Sequence, residues 1–166
     1  TGASSGIGEA SALALAKKGH HICLLARRSE ELHRIEQRIL TLGGQAWSYP
    51  VDLNDNQSLE QCVEKLLAQH QHIDVLINNA GRSIRRPIIE SLNRFHDYER
   101  TMQLNFFGAA KLTMALLPRF LQQGHGHIVN VSTYATHTAV PNFSAYTASK
   151  QALDAFSRSL VSELSH

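Results

Sequence analysis

Little in this chain points to a specialised environment. Only two cysteines occur in 166 residues, Cys23 and Cys62. Two are too few for a disulfide framework, and both sit inside periodic segments, so they read as reduced thiols of a cytoplasmic protein. Four prolines, ten glycines and no low-complexity tract exclude a disordered or fibrous chain. The net charge of +2 is too small an electrostatic footprint for nucleic acid. No apolar run approaches the roughly 20 residues a membrane-spanning helix needs. Histidine is abundant instead, with ten residues. Yet His70-Gln71-His72 and His125-Gly126-His127 have no cysteine or carboxylate partner at ligand spacing, which predicts solvated turn residues and no metal site.

Apolar residues make up 43% of the chain, enough for one domain with a real core. Strand-like and helix-like stretches alternate. Residues 9–18 predict a helix stopped by Gly19. The apolar run His21 to Ala26 predicts a buried strand. Ser29 is placed to cap a helix with Glu30 and Glu31 in its first turn; Leu32, Ile35, Ile39 and Leu42 form its apolar face, and Gly43-Gly44 its end. Ala46 to Val51 predicts a second strand. A helix starting at Asn54, with Gln57 three residues on, presents Leu59, Val63, Leu66 and Leu67. Ile73 to Ile77 predicts a third strand, about 93–122 a long helix with Pro118 near its end, Ile128 to Val131 a fourth strand, and Phe143 the start of a last helix. This alternation predicts an α/β fold of Rossmann type, a doubly wound parallel sheet with helices on both faces.

Chemistry concentrates in two places. The chain opens on Thr1-Gly2-Ala3-Ser4-Ser5-Gly6-Ile7-Gly8, whose glycines allow a tight turn and close approach to a pyrophosphate at a helix N-terminus. Such a turn follows a buried strand. The expectation is therefore a single domain over 1–166 whose first strand precedes Thr1 and whose substrate-binding part follows His166, with any targeting or anchor segment outside this sequence too. Far along the chain, Tyr146 and Lys150 stand four residues apart, so a helix places phenol and ammonium on one face. A phenol exchanges protons poorly at neutral pH, and a neighbouring cation makes phenols in general better proton donors.

These motifs, with Asn78-Asn79-Ala80-Gly81 and Asn105 in Met102-Gln103-Leu104-Asn105, occur in an order that resembles the compact branch of the short-chain dehydrogenase/reductase family. The resemblance spans the whole chain. It implies coenzyme binding by Gly2, Ser4, Ser5, Gly6, Ile7 and Gly8, by Asp52 and Leu53 beside the adenine, by Asn79, Ala80 and Gly81, and by Tyr146 and Lys150. It implies Tyr146 as proton donor, Lys150 as its activator and ribose ligand, and Asn105 as holder of a water in a proton relay. A substrate-orienting hydroxyl thirteen residues before the tyrosine falls on Thr133, where the family normally has serine; the neighbouring Ser132 is held in reserve. At the end of the family's second strand, here His21 to Ala26, an NAD site wants a carboxylate. Here Ala26 is followed by Arg27 and Arg28, which suit a 2′-phosphate and predict NADP(H).

A narrower resemblance, over residues 78–86, 94–105 and 152–158, is to bacterial fatty acyl-CoA reductases of the short-chain type. It implies reduction of a long-chain acyl-CoA to the aldehyde, with Arg82, Arg85 and Arg86 available to the phosphates of CoA. A 3-oxoacyl or steroid-like carbonyl, and a non-catalytic NADP(H)-binding protein, are the alternatives. The family also implies a dimer or tetramer through the long helices, although burial within one subunit explains the same apolar residues equally well.

Overall fold

The computed structural model describes residues 1–164, and the expectation that the last helix continues through His166 lies outside them. Helix α1 (Gly6–Ala16) leads to strand β1 (His21–Ala26), α2 (Ser29–Thr41), β2 (Gln45–Pro50), α3 (Asn56–Gln69) and β3 (Val75–Asn78). A long loop with a short 3-10 turn (Ile88–Ser91) precedes α4 (His96–Met102), a π-helical turn (Gln103–Gly108) and α5 (Ala109–Gln123). Strand β4 (His127–Asn130), a second 3-10 turn (Tyr134–Thr136) and α6 (Ser144–Leu164) complete it.

Strands β1 and β2 pair in parallel with His21 opposite Gln45, and β3 and β4 with Val75 opposite His127. Residues 1–3 lie between the two pairs. Ala3 N–H donates to the Leu25 carbonyl at 3.2 Å on one side, and Thr1 N–H to that of Ile77 at 2.7 Å on the other. Side chains alternate along β1, so one face carries Leu24 and Ala26 into a core with Leu32, Ile35 and Ile39 of α2 and Ala12 and Ala16 of α1. The other face sends Leu25, with Tyr49 of β2, into a second core with Leu59, Val63 and Leu66 of α3 and Leu112, Leu116 and Phe120 of α5. Helices therefore cover both faces, as the alternation predicts.

The boundaries show where local reading was overruled. Helix α2 begins at Ser29, but Arg28 holds the cap position and no side chain caps it. In α3 the cap is Asp55, whose carboxylate accepts the Gln57 N–H at 3.1 Å; Asn54 instead donates to Asp52. The single helix expected over about 93–122 is α4 and α5 joined by the π-helical turn, which contains Asn105. Pro118 is accommodated inside α5, and Gly124 ends that helix with φ 73°. Burial pushes the thiols of Cys23 and Cys62 up to about 11, so both are protonated at neutral pH. His70 corrects the solvated-turn expectation. It packs edge-on against the Trp47 and Tyr49 rings and meets the Tyr49 hydroxyl at 2.6 Å. His125 pairs with Asp74 at 3.1 Å. Among the described residues no three His, Cys, Asp or Glu side chains group as metal ligands, and no helix is long and apolar enough to cross a membrane.

Candidate active site

All four strands point their C-terminal ends at one cleft of about 490 Å³, where an open parallel α/β sheet binds its ligands. The segments that follow the strands form its walls. Leu25 to Arg28 close β1, Val51 to Leu53 follow β2, Asn79 to Ser83 follow β3, and Val131 and Ser132 follow β4. Gly2, Ser4, Ser5 and Ile7 of the glycine loop line it, as do Tyr146 and Lys150 of α6.

At Gly2 and Gly8 the glycine loop leaves no room for a side chain. A Cβ on Gly8 would lie 2.3 Å from the Gly2 carbonyl oxygen, and one on Gly2, where φ is +65°, 2.9 Å from Ala80 Cα. Thr1 holds the loop against the end of β3: its hydroxyl accepts the N–H groups of Asn79 and Ala80 at 3.0 and 2.9 Å, and its carbonyl accepts the Asn79 amide at 3.0 Å. Ser5 sits at the cap of α1 without a side-chain capping bond. The helix therefore presents unsatisfied N–H groups and its positive end, the arrangement a pyrophosphate requires. These features fit a dinucleotide.

Arg28 folds back onto this loop, donating to the Ser4 carbonyl at 3.1 Å and to the Ser4 hydroxyl at 3.2 Å. Arg27 is exposed beside it. Asp52 lines the cleft, with one carboxylate oxygen accepting the Asn54 N–H and side-chain amide at 3.0 and 2.8 Å, a local turn bond.

On α6, Lys150 is 4% exposed and its ammonium donates to the Val131 carbonyl at 2.6 Å. Burial pushes its pKa below the ordinary lysine value, and Asp154 opposes that shift. Tyr146 is half-buried, its ring edge-on to Phe143 at 6.3 Å. Asn105 is fully buried. Its amide donates to the Arg82 carbonyl and the Ser149 hydroxyl, both at 2.9 Å, and its oxygen accepts the Arg82 N–H at 2.8 Å. That side chain is committed to protein partners, so a water held by Asn105 would have to use its backbone carbonyl. Gly6, Gly8, Asn105 and Thr133 are the expected site residues that do not line the cleft. The Thr133 hydroxyl accepts the Ala135 N–H at 3.3 Å, while the buried Ser132 hydroxyl lines the cleft with no hydrogen-bond partner.

Arg86 departs from the CoA-contact reading, since its guanidinium lies 3.4 Å from Asp97. Asp97 is 6% exposed and also takes Arg94 at 3.0 Å and His96 at 3.3 Å. Thr1 and Ser149 were absent from the sequence-based site. Thr1 belongs to the recognised glycine motif and Ser149 to the stretch between Tyr146 and Lys150, but nothing local shows what their hydroxyls meet.

With α/β architecture, a strand-end cleft and Tyr146 and Lys150 both lining it, the chain belongs to the short-chain dehydrogenases, whose family profile matches residues 1–166. That family is one of NAD(P)-dependent enzymes. It is 49% identical to a fatty acyl-CoA reductase of Acinetobacter baylyi over 164 residues, covering 99% of this chain and 56% of that protein. It is 46% identical to a fatty acyl-CoA reductase of Mycobacterium tuberculosis, covering 98% and 56%. The chain spans about half the length of the curated relatives it matches. Among solved structures, a metagenomic short-chain oxidoreductase in complex with NADP superposes with a TM-score of 0.92 at 34% identity, covering 98% of this chain and 73% of that one. An NAD+-bound xylitol dehydrogenase gives 0.92 at 31%, covering 99% and 63%.

Proposed function

We propose that residues 1–166 are the coenzyme-binding and catalytic part of an NADP(H)-dependent reductase that converts a long-chain fatty acyl-CoA to the aldehyde. The observation that carries this reading is one cleft lined both by the glycine loop and by Tyr146 and Lys150. Gly2 to Gly8 and the start of α1 hold the pyrophosphate, Asp52 and Leu53 face the adenine, and Asn79 to Gly81 flank the coenzyme. Arg27 and Arg28 meet a 2′-phosphate, with no carboxylate competing at the end of β1. When bound, the nicotinamide supplies the hydride that reaches the carbonyl carbon.

Tyr146 gives its phenolic proton to the carbonyl oxygen, and Thr133 donates a hydrogen bond to the same oxygen. The Thr133 oxygen accepts from Ala135, which leaves its own proton free for this purpose. Lys150, fixed by the Val131 carbonyl, places positive charge beside Tyr146 and holds the ribose. Asn105 completes the proton path through its backbone. Departure of the CoA thiol then leaves the aldehyde, so one hydride and one proton balance the cleavage of one thioester.

The similarity to two fatty acyl-CoA reductases supports the substrate class. Arg82 and Arg85 are exposed and make no ion pair among the described residues, which suits CoA phosphates. A second groove of about 630 Å³ is lined by apolar residues, among them Ile88, Ile89, Val140 and Pro141, and by Thr147 and Ala148 of α6, the helix that carries Tyr146, which suits an alkyl chain.

The test is NADPH oxidation by the full-length protein with palmitoyl-CoA, with the aldehyde trapped as its hydrazone, beside simple ketones and aldehydes. Palmitoyl-CoA is expected to give aldehyde, and Tyr146→Phe to lower kcat by about 10² to 10⁴-fold. NADPH binding without turnover would make the protein a coenzyme binder. Turnover of ketones alone would move the substrate class.

A further inference from the structure

Helix α6 is fastened to the rest of the molecule by two serines eight residues apart. Each is bonded in the same way. Ser149 donates to the Tyr146 carbonyl at 2.7 Å and accepts the Asn105 amide at 2.9 Å. Ser157 donates to the Leu153 carbonyl at 2.7 Å and accepts the Asn130 amide at 2.7 Å. The two hydroxyls share their chemistry and differ in what they join. Ser157 ties the helix to the end of β4, whereas Ser149 ties the turn carrying Tyr146 to the π-helical turn.

The Ser149 joint is fully enclosed. Ser149 and Asn105 are both 0% exposed. The two amide hydrogens of Asn105 are used on Ser149 and the Arg82 carbonyl, and its oxygen takes the Arg82 N–H. A Cβ on Gly81 would lie 3.2 Å from that oxygen, a tight approach, and 3.7 Å from the Lys150 ammonium, an ordinary contact. One hydroxyl thus completes a path from the Arg82 main chain in the cleft wall, through Asn105, to the backbone of Tyr146. Removing it leaves a buried amide hydrogen without a partner and frees that turn of α6 to move.

We propose that Ser149 is a positioning residue for the reaction: it sets where the Tyr146 phenol stands relative to the coenzyme cleft. This rests on Tyr146 being the proton donor. A misplacement of the reacting group on the order of 1 Å costs about 10²-fold in rate, so a small shift is measurable. Ser157→Ala is the matched control, because it breaks the same pair of bonds on the same helix at a joint that does not involve Tyr146.

The experiment measures kcat, KM for NADPH and palmitoyl-CoA, the pH profile of kcat and the melting temperature for full-length wild type, Ser149→Ala, Ser149→Cys, Ser157→Ala and Tyr146→Phe. Ser149→Ala is expected to lose kcat by about tenfold or more. Its KM for NADPH should stay near wild type, and the pH dependence of its kcat should be displaced. Ser157→Ala is expected to melt lower by a comparable amount and keep the wild-type kcat and profile. Wild-type kcat and pH profile in Ser149→Ala would overturn the proposal. Where Ser149→Ala does not fold, the near-isosteric Ser149→Cys, a poor hydrogen-bond partner, decides it by the same two readouts. Full activity in Tyr146→Phe would instead sink the underlying catalytic reading, so the two failures are distinguishable.

Discussion

At the end of β4 two adjacent hydroxyls compete for one role. Ser132 and Thr133 are neighbours on extended backbone, so their side chains leave on opposite faces. The cleft receives Ser132, while Thr133 orders the following turn through Ala135. Spacing to Tyr146 favours Thr133. Under that assignment Thr133→Ala is expected to lower kcat by roughly 10²-fold, as loss of an oxyanion donor does, while Ser132→Ala stays near wild type. The reverse ranking in steady-state kinetics assigns the role to Ser132. Coenzyme choice is a second matter of single residues. A charge-assisted hydrogen bond is worth about 2 kcal/mol, or some thirtyfold. Arg28→Ala should therefore lower the NADPH-to-NADH ratio of kcat/KM by about that factor. An unchanged ratio would place the 2′-phosphate elsewhere.

Among the elements, the long stretch before β4 departs furthest from its local reading. Its composition reads as one helix, yet it begins at a buried carboxylate and breaks at a π-helical turn. Asp97 opens α4 and gathers Arg94, His96 and Arg86, while the Arg86 N–H donates to the Asn142 carbonyl at 2.8 Å. The cluster therefore pins the loop after β3 to the loop that leads into α6. The Arg94 hydrogen bond is the main cause holding the Asp97 carboxyl below its ordinary value; burial opposes it, and the charges of Arg94, His96 and Arg86 reinforce it. A depressed carboxyl stabilises the fold above the unfolded value of about 3.9, and the contribution disappears as pH falls through the lower folded value. Asp97→Asn should thus melt below wild type at pH 7, and the gap should close below about pH 4. Melting curves across that range check it; a gap independent of pH would mean that the charge is not what matters.

For the molecule as a whole, Phe107, Met114 and Leu121 are 44%, 57% and 64% exposed and recur every seven residues, which keeps them near one side of the helix. We propose that this stripe pairs with a second copy of the chain. Met114→Glu in the full-length protein should then shift sedimentation toward the smaller species. An unchanged sedimentation coefficient would remove the stripe from the interface.

Much of the architecture was readable residue by residue. The apolar run of β1, the periodic faces of α2 and α3 and the stops at Gly19 and Gly43 are local signals, and local energetics produced the elements they announce. The glycine turn and the helix that carries Tyr146 and Lys150 were readable for the same reason, and the fold brings both to one cleft. Tertiary structure alone decided the rest. It made Asp55 the cap in place of Asn54, folded Arg28 onto Ser4, withdrew Arg86 to Asp97, put His70 between two rings, turned Ser132 to the cleft and joined Asn105 to Ser149. Each of these depends on a partner distant in sequence or on the direction a side chain leaves the backbone. Composition and spacing carry no record of either until the chain has closed on itself.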